Sequence, residues 1–263
     1  MFNVVSKGVR MRLIIELSSE KDFVIPIHYN YYIQSFLYNS ISPKLAQILH
    51  DHGFPIGKRK FRLFTFSRIL GEYQIRKNIE RIFFASPFKI IVSSAMKEFV
   101  EELAEELIRR EEVRISYQSV HLNSVEVSDT PINQDKLKIK MLSPVTIYST
   151  LSKADGGKKT YYYSPFENEF SQLISENAKK KFKAFYGKEP NGEIQLISLN
   201  VNKSNERIIF YKGTVIKGWM GIYEVSGDPE LIKLTYDAGL GGKNSQGFGC
   251  FEVLGRKNFR DED

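Results

Sequence analysis

One cysteine in 263 residues excludes an internal disulfide and suits a reducing compartment. That residue, Cys250, sits in an apolar run and reads as buried filler rather than a nucleophile. No apolar run approaches the ~20 residues of a membrane span. Residues 1–10 lack the apolar core of a secretion signal, and Met11 reads as a natural beginning behind a ten-residue appendage. A cytoplasmic protein is therefore expected. The four histidines (His28, His50, His52, His121) have no metal-binding cysteine partners and no His-Glu-x-x-His spacing, so no metal or other cofactor is expected. His50 and His52 lie two apart and cannot easily share an ion on a helix. A Gly-x-Ser-x-Gly nucleophile elbow is absent too.

What the chain has in excess is positive charge: a net +7, with a pI near 9.2. That balance favours a polyanionic partner. Basic residues fall beside aromatics at Lys58-Arg59-Lys60-Phe61-Arg62 and at Lys158-Lys159 before Tyr161-Tyr162-Tyr163. Phosphates take up the charge and bases stack on the rings, so such mixtures suit single-stranded nucleic acid. The run Lys179-Lys180-Lys181 with Lys183 reads instead as a solvated helix face. The glutamate-rich helix predicted over 96–110 would repel RNA and belongs away from any binding surface.

Hydrophobic spacing gives the order of elements. A strand over 11–17 precedes a helix over 28–41, whose apolar stripe is Tyr29, Ile33, Phe36, Leu37 and Ile41. Tyr31 and Tyr38 lie off that stripe, and Tyr38 is placed to face solvent or a ligand. Ser42-Pro43 reads as a cap followed by a helix start, and Gly53 as its stop. His50 points off that helix's apolar face; His52 lies in line with it and reads as packed or helix-terminal. Residues 61–70 and 72–75 suggest a hairpin turning at Gly71. Strands follow at 81–85 and 87–94, then the acidic helix, then strands at 111–117 and 119–127. Residues 129–133 read as a linker. Strands at 136–141 and 145–148, a flexible turn over 152–158, a helix over 165–186, strands within 194–200 and 208–223, a helix over 229–238 and a strand over 248–253 complete the chain. The β-α-β-β-α-β order occurs twice, which predicts an α+β protein of two tandem ferredoxin-like domains, 1–130 and 131–263.

The last connection of the second unit is rich in glycine: Gly239-Leu240-Gly241-Gly242-Lys243-Asn244-Ser245-Gln246-Gly247-Phe248-Gly249. It is no Walker A loop, because Asn244 follows Lys243, and no dinucleotide fingerprint, because the sixth position is Asn244. Clustered peptide N–H groups there are suited to an anion; the alternative is a tight helix-to-strand connection without a ligand.

The block Tyr38-Asn39-Ser40-Ile41, Ser42 to His50, then Phe61-Arg62-Leu63-Phe64-Thr65-Phe66-Ser67 resembles the N-terminal half of the CRISPR-associated endoribonucleases that cut repeat RNA into guide units. The terminal Gly-apolar-Gly-x5-Gly-apolar-Gly loop is similar to the signature of the same family, within the RAMP superfamily. The resemblance implies two ferredoxin-like domains and metal-independent cleavage of precursor CRISPR RNA to a 2′,3′-cyclic phosphate and a 5′-hydroxyl. It implies Tyr38 and His50 as catalytic residues, with a cation at Lys60, at Lys58, or replaced by Arg62. Lys60 is taken as the catalytic one. Lys58, Arg59 and Arg62 are expected to bind RNA, as are Gly239, Gly241, Lys243, Asn244, Ser245, Gln246, Gly247 and Gly249 of the loop. Repeat RNA is the expected partner, with effector-complex subunits beside it, for a monomer or homodimer. The competing expectations are a non-catalytic repeat-binding subunit and an RRM-like RNA chaperone or ribosome-associated protein.

Overall fold

The strand Arg12–Ser18 alternates buried and half-buried side chains, with Leu13, Ile15 and Leu17 inaccessible to solvent. A strand patterned this way sits in the middle of a sheet, and here it does. In the computed structural model, which describes residues 12–128, 131–152 and 156–255, it pairs antiparallel with Phe88–Ser94 on one side and Gln118–Ser128 on the other. Phe64–Phe66 and Glu112–Ile115 flank these three, completing a five-stranded sheet. The second unit repeats the scheme: Lys136–Met141 lies between Ile222–Gly227 and Phe251–Val253, with Ile194–Asn200 outermost. Both sheets place their first strand between the third and the fourth of the β-α-β-β-α-β order, and the fold is α+β with tandem ferredoxin-like units. The linker residues Asp129 and Thr130, the turn residues Lys153 to Asp155 and the N-terminal appendage lie outside the described residues.

Five α-helices cover these sheets among the described residues: α1 (Asn30–Asn39), α2 (Pro43–Gln47), α3 (Lys97–Ile108), α4 (Asn168–Tyr186) and α5 (Pro229–Ala238). The stripe expected on the first of them is the buried face of α1, extended by Tyr29 and Ile41. Ser42 caps α2, its hydroxyl accepting from the Leu45 amide at 3.3 Å, with Pro43 next.

Two expectations are corrected, and one hairpin is new. Residues 61–70 and 72–75 form no hairpin. Phe64–Phe66 joins the central sheet, while Tyr73–Arg76 pairs with Arg81–Phe84 in a separate small sheet. The local turn signal at Gly71 is real, but burial decides the partner: Phe64, Thr65 and Phe66 are inaccessible on both faces, whereas Tyr73–Arg76 is exposed throughout. The strand expected at 145–148 begins at Tyr148, with Val145 only bridging to Trp219. Residues 54–60, to which hydrophobic spacing assigns no element, join Phe61 in the hairpin Phe54–Ile56/Arg59–Phe61. Phe54 at its base packs edge-on against Phe185 of α4, which carries the hairpin across to the second unit.

Candidate nucleic-acid interface and active site

The seam between the two units is where the glycine-rich connection lies. Asn30 of α1 donates from Nδ2 to the carbonyls of Gln246 (2.7 Å) and Gly247 (3.2 Å). Gln34 Nε2 donates to Ser245 O at 2.5 Å, and Thr65 Oγ1 to Phe248 O at 2.9 Å. The first unit thus grips four successive carbonyls of the second unit's last loop. Arg12 adds a second clamp: its guanidinium donates to Phe251 O (2.8 Å) and Tyr236 O (3.1 Å) and stacks 3.8 Å over the Tyr236 ring.

The glycines are required by this packing. Gly241 has φ +67°, and a Cβ there would collide with Thr146 O. Gly247 has φ +82°, and a Cβ would stand 2.5 Å from Phe66 Cε2 and 2.7 Å from Asn30 Nδ2. Side chains are excluded at both positions by backbone sterics and by space. The anion cradle expected of the peptide N–H groups is corrected for most of the loop. The amides of Gly239, Leu240, Gly242, Gln246, Gly247, Phe248 and Gly249 all donate to protein carbonyls. Asn244 is also turned inward, 8% exposed, with Nδ2 donating to Leu240 O (2.9 Å) and Phe248 O (3.0 Å).

Lys181 is the residue that reading by charge misplaced. Lys179, Lys180 and Lys183 are a solvated face, paired with Glu193, Glu176 and Glu189. Lys181 is 1% exposed, and its Nζ donates to Gly239 O at 2.6 Å and Gly241 O at 2.7 Å. It meets the C-terminal end of α5, where carbonyls converge and positive charge is favoured. Burial nevertheless pushes its amine down from 10.5 to about 7. A helical wheel over α4 carries the missed signal. Asn177 and Lys181, one turn apart, interrupt the buried apolar face of Phe170, Ile174, Ala178 and Phe182.

A cluster stands beside this seam. After α2 the chain widens into a π-helical turn, Ile48–His52, closed by Gly53 N–H donating to Ile48 O. That wider turn breaks the spacing assumed for the histidines: Leu49 is buried, and His50, Asp51 and His52 are all exposed. His52 is therefore not packed but helix-terminal, the second of the two places expected for it. His50 Nδ1 lies 2.7 Å from Asp51 Oδ1, and its side chain is 79% exposed. Arg62 ties the cluster together, donating to Leu49 O (3.1 Å), His50 O (2.9 Å) and Lys60 O (3.0 Å). Its guanidinium also lies against the Tyr38 hydroxyl. Half-buried Tyr38 packs edge-on to Phe64, and burial raises its hydroxyl above the usual tyrosine value, with Arg62 opposing. Lys60 Nζ donates to Asp51 O at 2.7 Å.

Between the basic hairpin and the glycine-rich loop opens a cavity of about 330 Å³. It is lined by Lys58, Lys60 and Arg62, by Lys243 and Gln246 of the loop, and by Asn177 and Lys181 of α4. Lys243 Nζ stands 5.0 Å from the Tyr148 ring centre. Among the described residues no cluster of histidine, cysteine or carboxylate side chains could hold a metal ion. No helix among them is long and apolar enough to cross a membrane.

Tandem ferredoxin-like units docked through a glycine-rich loop define the class of fold. The fold is shared with a solved structure described as an RAMP protein binding different RNA substrates (TM-score 0.78, 20% identity, 93% of this chain and 99% of that one). Two family models match in succession, Cas6 N-terminal over residues 24–126 and Cas6 C-terminal over 123–253. The chain belongs to the Cas6 family of CRISPR-associated proteins. It is 29% identical to CRISPR-associated endoribonuclease Cas6 1 of Methanocaldococcus jannaschii, over 96% of each chain. It is equally similar to CRISPR-associated endoribonuclease Cas6 of Pyrococcus furiosus, over 96% of this chain and 94% of that one.

Proposed function

We propose that the protein is an endoribonuclease that cuts precursor CRISPR RNA within its repeats, by attack of the 2′-hydroxyl and without a metal ion. The observation that supports this best is the Arg62 clamp, which gathers Tyr38, His50 and Lys60 beside a basic cavity at the junction of the two units. RNA brings its own nucleophile next to the scissile phosphate, so the protein's task is proton transfer and charge stabilisation. His50, exposed and free to meet a substrate, moves the proton. Tyr38, held protonated by burial, donates a hydrogen bond rather than acting as a base. Lys60 and Arg62 stabilise the charge that builds on the phosphorane. The 2′-oxygen bonds to phosphorus, the bond to the 5′-oxygen breaks, and the departing oxygen takes a proton. The products are a 2′,3′-cyclic phosphate and a 5′-hydroxyl.

Lys58, Arg59, Lys243, Ser245 and Gln246 are proposed to hold the RNA, while Gly239, Gly241, Asn244, Gly247 and Gly249 shape the loop that presents them. Repeat RNA is the proposed partner, with effector subunits receiving the product. The test is cleavage of repeat RNA in EDTA with the 3′ ends analysed. His50→Ala is expected to cut about 10²–10⁴-fold more slowly. Full activity in that variant, dependence on added divalent metal, or cutting of RNA with a 2′-deoxy at the site would each overturn the mechanism. Tight binding without any product would mark a non-catalytic subunit.

A further inference from the structure

The hairpin Glu206–Tyr211/Thr214–Trp219 belongs to the second unit but reaches helix α1 of the first. Tyr211, at its turn end and buried, donates its hydroxyl proton to Gln34 Oε1. The Tyr211 ring stands edge-on to Tyr31, 6.3 Å between centroids, and Lys212 Nζ lies 4.7 Å from the centre of the same Tyr31 ring. Just before α1, His28 meets Phe210 edge-on at 4.8 Å. Gln34 passes the contact on, its Nε2 donating to Ser245 O at 2.5 Å. Asn30, Gln34 and Tyr38 recur every four residues and so form one row along α1, about 6 Å apart. The first two hold the glycine-rich loop, and the third is the tyrosine of the candidate site. A carboxamide has an acceptor end and a donor end. Ser245 O can only accept, so it takes the N–H end of Gln34. The Tyr211 hydroxyl donates to the other end, and both ends are then fixed. Burial, with Tyr38 and Tyr31 close by, pushes that hydroxyl up to about 12, so it keeps its proton at neutral pH.

We propose that Tyr211 is a positioning residue for RNA cleavage: through Gln34 it fixes the glycine-rich loop of the second unit against the row of α1 that carries Tyr38. The proposal rests on the reading of the chain as an endoribonuclease and adds to it a part of the second unit outside the glycine-rich loop. Tyr38 and His50 come from the first unit, whereas Lys243, Ser245 and Gln246 come from the second. A phosphate held by the loop meets Tyr38 and His50 only while the two units keep their spacing. Asn30 and Thr65 take the carbonyls of Gln246, Gly247 and Phe248, so the hold on Ser245, the one nearest Lys243, is that of Gln34. Released from Tyr211, the Gln34 amide is free to turn towards water, and Ser245 loses its register with α1. What the bridge contributes is orientation, and a misplacement of about 1 Å costs up to about 10²-fold in rate.

The experiment uses Tyr211→Phe, which keeps the ring and removes only the hydroxyl, and Gln34→Leu, which removes both ends of the bridge. Cleavage of repeat RNA is followed in single turnover well below the melting midpoint, and RNA affinity by titration. Hydrogen exchange of residues 239–249 is read in the free protein by mass spectrometry. Each variant is expected to cut about 10- to 100-fold more slowly, with affinity within about twofold of wild type and a midpoint within about 5 °C of it. Residues 239–249 are expected to exchange faster in both. The double variant should be no slower than the slower single one, because both changes act through one bridge. A brace that only stabilises the fold predicts instead a lower midpoint and unaltered cutting by the folded molecules. Unaltered cutting, losses that multiply in the double variant, affinity lost in step with rate, or unchanged exchange would each overturn the positioning role. A wild type that cuts as slowly as His50→Ala removes the nuclease reading, and exchange of the loop then decides whether the bridge holds it. A wild type that cuts no faster than Tyr211→Phe, yet faster than His50→Ala, keeps the nuclease and loses the positioning residue.

Discussion

Lys181 should make the stability of this protein rise with pH, and replacing it by methionine should remove that dependence. The unfolded chain protonates this amine below 10.5, the folded chain only below about 7. Between those values the unfolded state binds more protons, so the stability contributed by Lys181 rises with pH. It is fully present above 10.5 and is lost as pH falls towards about 7. The gap corresponds to about 5 kcal/mol, since each tenfold step in proton affinity is about 1.4 kcal/mol. Neutral or charged, the amine supplies donors to Gly239 O and Gly241 O. Methionine leaves both carbonyls unpaired, at about 1–3 kcal/mol each, independent of pH. The two effects largely offset at pH about 7, where the variant should lie within about 3 kcal/mol of wild type. At pH about 10 it should be less stable by several kcal/mol. Urea titrations of both proteins at the two pH values measure this, and the other lysines cancel in the difference. If the difference between the proteins is the same at both pH values, Lys181 is not a desolvated amine and the reasoning fails.

Two further outcomes follow from the same seam. Arg62→Lys keeps the charge but cannot reach Leu49 O, His50 O and Lys60 O together. Single-turnover cleavage should then fall about 10²-fold through misplacement of the cluster, with RNA affinity little changed; an unaltered rate would remove Arg62 from the site. Gly247→Ala sets a Cβ 2.5 Å from Phe66 at a positive φ. Denaturant titration should show a loss of about 2–5 kcal/mol from backbone strain and overpacking together, and a stability equal to wild type would mean the loop relaxes freely.

How far the chain could be read in advance varied from element to element. The stripe on α1 and the Ser42 cap were legible because helical spacing and capping are local properties. The order β-α-β-β-α-β was legible for the same reason, and both sheets arrange it as that motif requires. Strand partners were less so. Phe64–Phe66 and Tyr73–Arg76 look alike in a one-dimensional pattern, yet one is a buried sheet strand and the other an exposed edge. His50 and Tyr38 stood out by residue type and family likeness. Arg62's hold on the backbone beside both did not, because its partners are carbonyls, which every residue has.

The basic hairpin and the glycine-rich loop could be singled out from the sequence alone, and so could the terminal place of that loop. Their closeness could not, because more than 170 positions separate Arg62 from Lys243 and no local rule spans that distance. Charge counting took four lysines near 180 as one solvated face. The packing of α4 onto α5 turned one of them inward, because a buried helix face is chosen by what lies against it. Composition set the polyanionic partner, and local spacing set the elements. Only the docking of one unit on the other decided that the glycines pack the seam and that Asn177, Lys181 and Gln246 share a cavity with the basic hairpin.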